Sequence, residues 1–254
     1  MTTAIAVNGA AGRMGRTVIE TAAERDDVEV VVGFHASDAG EVDGVPVVGA
    51  ASVPDALAEY DPDAVVDFST PEAALGIVDA CVEEDVALVV GTTGFDATGF
   101  DALEAASDEI PVLKATNFSR GIQVLLRTVT EAVGALEGYD LELMETHHNG
   151  KVDAPSGTAN TILETIQEER DVEPVYGREG HAPREADEIG VFARRAGDVR
   201  GEHELVLAGN DEVVSLSHRA EDRAVFAAGA LDAAVWLADE GDGWHEFDEV
   251  IDAD

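Results

Sequence analysis

The chain has 254 residues, with 54 Asp and Glu against 15 Lys and Arg, a formal net charge of −39. So acidic a protein lacks the cations that phosphate-backbone binding needs, which excludes nucleic acid and argues against docking on an anionic membrane. Hydrophobic residues make up 45% of it, so the acidity is not that of a disordered chain, and the length allows one large domain or two smaller ones.

Only two of the basic residues are lysines, Lys114 and Lys151; the others are arginines. A folded, acidic, lysine-poor chain suits molar salt, where the Debye length falls to about 3 Å and carboxylates hardly repel one another. Cys81 is the sole cysteine, so neither an internal disulfide nor a CxxC metal site is expected. The first residues carry no basic n-region and no long apolar stretch; no signal peptide is read there, and the cytoplasm is the expected compartment.

In chain order, Ala4 to Val7 is a short apolar run, followed by a glycine-rich turn and a helical pattern through Met14, Val18, Ile19 and Ala22. Val28 to Phe34, Ala64 to Phe68 and Val86 to Val90 are almost continuously apolar, as buried parallel strands are. A helix opens at Pro71 and runs to about Glu84, and another covers Asp101 to Ser107 before a strand at Ile110 to Leu113. Repeated β-α-β units predict a Rossmann-type α/β domain, a parallel sheet with helices on both faces. After a long helix from Gly121 to Leu136 the pattern changes to alternation. Leu141 to Thr146, Ile189 to Arg194, Leu205 to Ala208 and Val213 to His218 read as an open sheet with one solvated face, hence a second, α+β domain. The helix from Arg223 to Ala238 is apolar enough to pack back on the first. The expected domains are therefore 1–118 with 223–254, and 119–222.

Four segments carry chemistry. Gly9-Ala10-Ala11-Gly12-Arg13-Met14-Gly15 joins the first strand to the first helix, where glycines let backbone approach a pyrophosphate at a positive helix terminus. Gly91-Thr92-Thr93-Gly94 follows a strand end, where ligands bind in open parallel sheets, and Ala115-Thr116-Asn117-Phe118 follows the next one. Each of the three also reads as an ordinary turn. The fourth, Glu145 to Ala159, gathers His147, His148, Lys151 and a helix start that Ser156 or Thr158 can cap. Free N–H groups there would hold a carboxylate, with Lys151 and His148 adding charge-assisted hydrogen bonds. Metal is not expected, because no third His or Cys lies at ligand spacing. His147 and His148 serve one site only if the strand ends there, since strand neighbours point to opposite faces. In a chain nearly emptied of lysine, Lys151 marks a position where Arg, which holds its proton, does not substitute. Residues 1–19, 88–95, 112–130 and 146–161 together hold one carboxylate, Asp153, so anionic ligands meet little repulsion at these segments.

On these motifs the chain resembles the dihydrodipicolinate (4-hydroxy-tetrahydrodipicolinate) reductases of lysine and diaminopimelate biosynthesis. The matching blocks are Gly9 to Arg16, Val66-Asp67-Phe68-Ser69-Thr70-Pro71, Gly91 to Phe95, Asn117-Phe118-Ser119, His147 to Ala159, Arg178-Glu179-Gly180-His181 and Arg195 to His203. The resemblance implies hydride transfer from NADH or NADPH to a cyclic dicarboxylate imine. It implies His147 as acid/base and Lys151 as proton donor, with His148, Gly157 and Thr158 on the substrate carboxylates. Gly9, Ala10, Ala11, Gly12, Arg13, Met14, Gly91, Thr92, Thr93, Ala115, Thr116, Asn117 and Phe118 would contact the cofactor. A homotetramer built through the second domains is also implied. Where the family places an acidic residue for the adenosine ribose, this chain has His35, then Ala36; Ser37 and the nearest carboxylate, Asp38, follow. His35 and Ser37 suit a 2′-phosphate and Asp38 opposes it, so NADH and NADPH both stay open. Another two-domain NAD(P)H-dependent reductase would lack the full HHxxK and PSGT combination, and a non-catalytic NAD(P)H-sensing regulator would not need Lys151.

The charge makes a direct prediction: the thermal unfolding midpoint rises as KCl is raised from dilute buffer to molar concentration. A midpoint highest in dilute buffer would refute the adaptation to salt.

Overall fold

The computed structural model describes residues 2–37 and 40–253. The chain opens with β1 (Thr3–Asn8), α1 (Arg13–Ala22), β2 (Val28–His35), β3 (Gly40–Val42), β4 (Val45–Gly49), α2 (Val53–Tyr60) and β5 (Ala64–Asp67). It continues through α3 (Pro71–Glu83), β6 (Ala87–Val90), α4 (Ala97–Ser107) and β7 (Pro111–Lys114). Then come α5 (Arg120–Ala135), β8 (Asp140–His147), α6 (Gly157–Glu169), β9 (Glu173–Tyr176), β10 (Glu188–Arg195), β11 (Gly201–Gly209) and β12 (Glu212–Ala220). The chain closes with α7 (Ala224–Leu237), β13 (Gly243–His245) and α8 (Phe247–Asp252). These elements fall into two compact units, Met1–Phe118 with Arg223–Asp254, and Ser119–Asp222.

The first unit holds an eight-stranded sheet in the order β13-β7-β6-β5-β1-β2-β4-β3, parallel except for the β3–β4 pair. Its strands are buried on both faces: Ile5, Val7 and Val66 pack with α1, α7 and α8, while Ala6, Val65 and Leu88 pack with α2, α3 and α4. Local chemistry sets the helix starts. Thr70 accepts from the Ala73 N–H ahead of Pro71, and Asp96 accepts from the Gly99 N–H. That second cap is why α4 begins four residues before the apolar pattern from Asp101. The pattern also missed β3 and β13, which are short edge strands, β4, which lies between β2 and β3, and α8, which the capping box Glu246/Glu249 starts.

The helix read at Arg223 to Ala238 is α7, and it belongs to the first unit. Ala227, Ala230, Leu231, Ala234 and Leu237 are fully buried there, and Arg25 pairs with Asp232 at 2.7 Å. Gly229 lets α7 lie against the loop after β7: a Cβ at this position would stand 1.8 Å from the Phe118 carbonyl oxygen.

The second unit is a five-stranded mixed sheet, β12-β11-β8-β10-β9. β10 runs parallel to β8 and β9, and β11 antiparallel to β8 and β12. Helices α5 and α6 cover one face, burying Leu141, Leu143, Ile189, Val191, Leu205 and Leu207. On the other face the alternate residues of β11 and β12 stay partly exposed, with Val213 at 65%.

Gly229→Ala separates propensity from packing. Helix propensity favours Ala by about 1 kcal/mol. The clash with backbone reverses the sign, and a net loss of about 1–3 kcal/mol is expected from chemical unfolding in molar KCl.

Candidate active site

β1 delivers the chain to Gly9, whose φ is +82 and where a Cβ would stand 2.3 Å from the Phe68 carbonyl oxygen. At Gly15 a Cβ would stand 2.2 Å from the Gly9 carbonyl oxygen, so the start of α1 lies directly on the turn. Gly12 is the N-cap of α1 and offers no side-chain cap, which leaves the first amides of the helix to a ligand. Ala10 is buried, Ala11 and Met14 are half-buried and Arg13 is exposed. Beside this turn lies a cavity of about 320 Å³ lined by Asn8, Gly9, Gly12, Phe34, His35, Ala36, Thr70 and Glu72, among others. An uncapped helix start next to a cavity with an aromatic wall fits one end of a dinucleotide. His35 therefore sits on that wall, and Asp38 lies outside the described residues. Glu72, in the first turn of α3, is a wall carboxylate that the sequence reading did not single out.

The two other loops of this unit divide their residues between packing and exposure. A Cβ on Gly91 would stand 2.2 Å from the Phe68 ring. Thr92 is buried and its hydroxyl accepts from the Ser69 N–H at 2.8 Å, while Thr93 is exposed. Ala115 and Asn117 are half-buried and Thr116 is exposed. The Phe118 ring is core, in edge contact with Phe68 and Phe247, so only its backbone remains for a ligand. Lys114 is 8% exposed and its ammonium lies 4.8 Å from the centre of the Phe100 ring.

In the second unit β8 ends on His147, and His148 begins the turn that follows. The strand end is what frees both imidazoles from pointing to opposite faces. The Lys151 ammonium pairs with Asp153 at 2.9 Å. Ser156, not Thr158, caps α6: its hydroxyl accepts from the Ala159 N–H. Gly157 has open space where a side chain would be. Beneath these groups the Glu145 carboxylate, its side chain fully buried, bonds to His147 Nδ1 at 2.7 Å, to the Ser156 N–H and to both terminal nitrogens of Arg195. His203 of β11 meets the Ser156 hydroxyl at 3.1 Å, and its ring centre is 5.3 Å from that of His147. Among the described residues no group of three or more His, Cys, Asp and Glu is placed to hold a metal ion.

Burial lowers the affinity of the His147 ring for a second proton. Glu145 works against that, Lys151 and Arg195 add to it, and the balance lies below the ordinary value. Burial pushes Glu145 up, but hydrogen bonds from Arg195 and His147 prevail and hold it below the carboxylate range. His203 is pushed down to about 4, by burial first and then by the charge of His147. Glu145, Arg195 and His203 had no role in the sequence reading. The period of two along β8, which puts Glu145 on the face of His147, was the available signal for the first; the other two come from strands remote in sequence.

The described model for "Dihydrodipicolinate reductase, N-terminus" matches residues 3–118 and that for "Dihydrodipicolinate reductase, C-terminus" matches residues 121–251. The chain belongs to the dihydrodipicolinate reductase family. A 4-hydroxy-tetrahydrodipicolinate reductase of Haloarcula marismortui is 70% identical over 99% of this chain and 100% of the relative. One of Natronomonas pharaonis is 53% identical over 97% and 99%. Both come from halophiles, in keeping with the charge. The structure of a dipicolinate-bound dihydrodipicolinate reductase from Paenisporosarcina sp. TG-14 superposes with a TM-score of 0.78 at 22% identity, covering 97% of this chain and 98% of that one, a likeness of fold.

His203 gives a pH dependence with a definite sign. Its folded pKa lies below the ordinary 6.5, so its stabilising contribution is present above that value and is lost as pH falls through 6.5 toward about 4. The loss is about 3 kcal/mol at the acid end. His203→Gln should flatten the fall of the unfolding free energy between pH 6.5 and 4, and an unchanged slope would contradict the assignment.

Proposed function

We propose that the chain reduces 4-hydroxy-tetrahydrodipicolinate to tetrahydrodipicolinate with NADH or NADPH, in lysine and diaminopimelate biosynthesis. The observation that carries this is the gathering of His147, Arg195 and Ser156 at the start of α6 around Glu145, with His148 and Lys151 on the segment between His147 and Ser156, in a chain that matches both halves of one reductase family. The substrate loses its hydroxyl as water, and the ring then takes up one hydride and one proton. When bound, the reduced nicotinamide supplies the hydride.

Gly9, Ala10, Ala11, Gly12, Arg13 and Met14, with His35 on the cavity wall, would hold the nucleotide. Gly91, Thr92, Thr93 and the backbone of Ala115, Thr116, Asn117 and Phe118 would hold its other end. In the second unit the backbone of Gly157 and Thr158 at the start of α6, with the imidazole of His148, grips the substrate carboxylates and orients the ring. Hydride arriving at carbon leaves negative charge on the conjugated system. The Lys151 ammonium stabilises that charge and donates the proton, and His147 acts as acid/base beside it. The unit is a building block of a cytoplasmic homotetramer, which would cover the sheet face that α5 and α6 leave bare.

The test is an assay in molar KCl with substrate formed in situ from pyruvate and aspartate semialdehyde, following absorbance at 340 nm. Consumption of NADH or NADPH is expected, and none with either by folded protein refutes the reading. Lys151→Met should lower kcat by about 10²- to 10⁴-fold with near-normal cofactor affinity. Full activity would remove the proton-donor role.

A further inference from the structure

We propose that Glu145, locked by Arg195, is a positioning residue that holds His147 as the Nδ1–H tautomer and so leaves Nε2 as the bare, proton-accepting nitrogen. This rests on the reading of His147 as acid/base. It adds the two residues that set the state in which the ring works.

The Glu145 carboxylate makes four hydrogen bonds to three residues from three elements. Oε1 accepts from the Ser156 N–H at 3.1 Å and from Arg195 Nη2 at 2.8 Å. Oε2 accepts from Arg195 Nη1 at 2.7 Å and faces His147 Nδ1 at 2.7 Å. The first three are fixed N–H donors, so the carboxylate is ionised where it stands. An ionised carboxylate only accepts. The hydrogen between it and the ring therefore belongs to Nδ1, and in the neutral ring Nε2 has none.

Arg195 decides whether the ring stays neutral. A buried carboxylate alone would drive a neighbouring imidazole toward imidazolium. The bidentate guanidinium offsets that charge at its source. The other groups facing the ring are Lys151 from the segment after β8, itself paired with Asp153, and His203 from β11. Lys151 and Arg195 both oppose a second proton, as does burial. Arg195 Nη2 also donates to the Asp153 carbonyl at 2.6 Å. One guanidinium thus fixes both the orienting carboxylate and the segment that carries Lys151.

An independent feature keeps Nε2 clear. On β11, Gly201 faces the ring, and a Cβ there would stand 3.1 Å from Nε2. A side chain at this position would crowd that nitrogen.

The experiment combines two readouts. The ¹⁵N shifts of the His147 ring, assigned by the loss of signal in His147→Asn, are followed against pH in molar KCl. In parallel, kcat/KM is followed against pH. In the unaltered protein the neutral ring should be the Nδ1–H tautomer; an Nε2–H tautomer overturns the proposal without any further variant. Glu145→Gln should move the ring toward Nε2–H, shift its titration and the acid limb of kcat/KM to lower pH, and cut kcat by about 100-fold. Arg195→Met should shift both to higher pH. Opposite displacements are the signature of charge tuning, because loosened packing would lower activity without setting a sign for each variant. Displacements in one direction, or none, overturn the proposal. The ring titration needs no turnover, so an inactive unaltered protein would count against the reductase reading while leaving the tautomer legible.

Discussion

A fully buried carboxylate is costly unless every lone pair is met, and Glu145 meets its own with donors from β8, β10 and the cap of α6. Removing Arg195 would take away the cation that neutralises this buried charge. The arrangement therefore fixes where three elements end relative to one another. β8 carries Leu141 and Leu143 into the core of the second unit, then Glu145, then His147, all on one face. The stripe passes from apolar packing to a charged lock to a reactive ring within seven residues. Chemistry at the strand end thus inherits its precision from the core behind it.

The overall charge and the site obey different rules. Most of the 54 carboxylates lie outside the core and answer to salt, with Asp67, Glu145 and Glu188 as buried exceptions, whereas the segments that would meet anionic ligands carry almost none. Lysine tells the same story from the other sign. Lys114 is nearly buried against Phe95 and Phe100, and the Lys151 side chain is 23% exposed and paired. Selection for salt would act through the water-facing surface, and the two lysines that persist lie largely away from it. A cation held on aromatic rings also depends less on screening than an exposed ion pair does.

The Rossmann-type order was legible because its strands are continuous apolar runs and its helices open at Pro71 and at a glycine turn. The mixed sheet was legible from alternation. Short edge strands such as β3 and β13 were not, since three residues carry no period. The start of α4 was hidden because one Asp96 side chain sets it, not an apolar stripe. In the site, His147, His148, Lys151 and Ser156 lie within ten residues and could be read together. Arg195 and His203 reach the same place through strand pairing across β8, which no local pattern encodes.

The glycine turn shows how differently two motifs of equal fame bear on function. Gly9 and Gly15 are required by the chain's own backbone, whose Phe68 and Gly9 carbonyls occupy the space of any side chain. Such glycines would be needed to seat α1 on the sheet whether or not a nucleotide binds. Only the uncapped start of α1 and the cavity beside it speak for a ligand. The His147 to Thr158 block is otherwise: a side chain at Gly157 would meet nothing within 4 Å. Residues whose placement the fold does not require are the ones that point to chemistry, and Gly157 of the second unit is such a residue where Gly9 and Gly15 of the first are not.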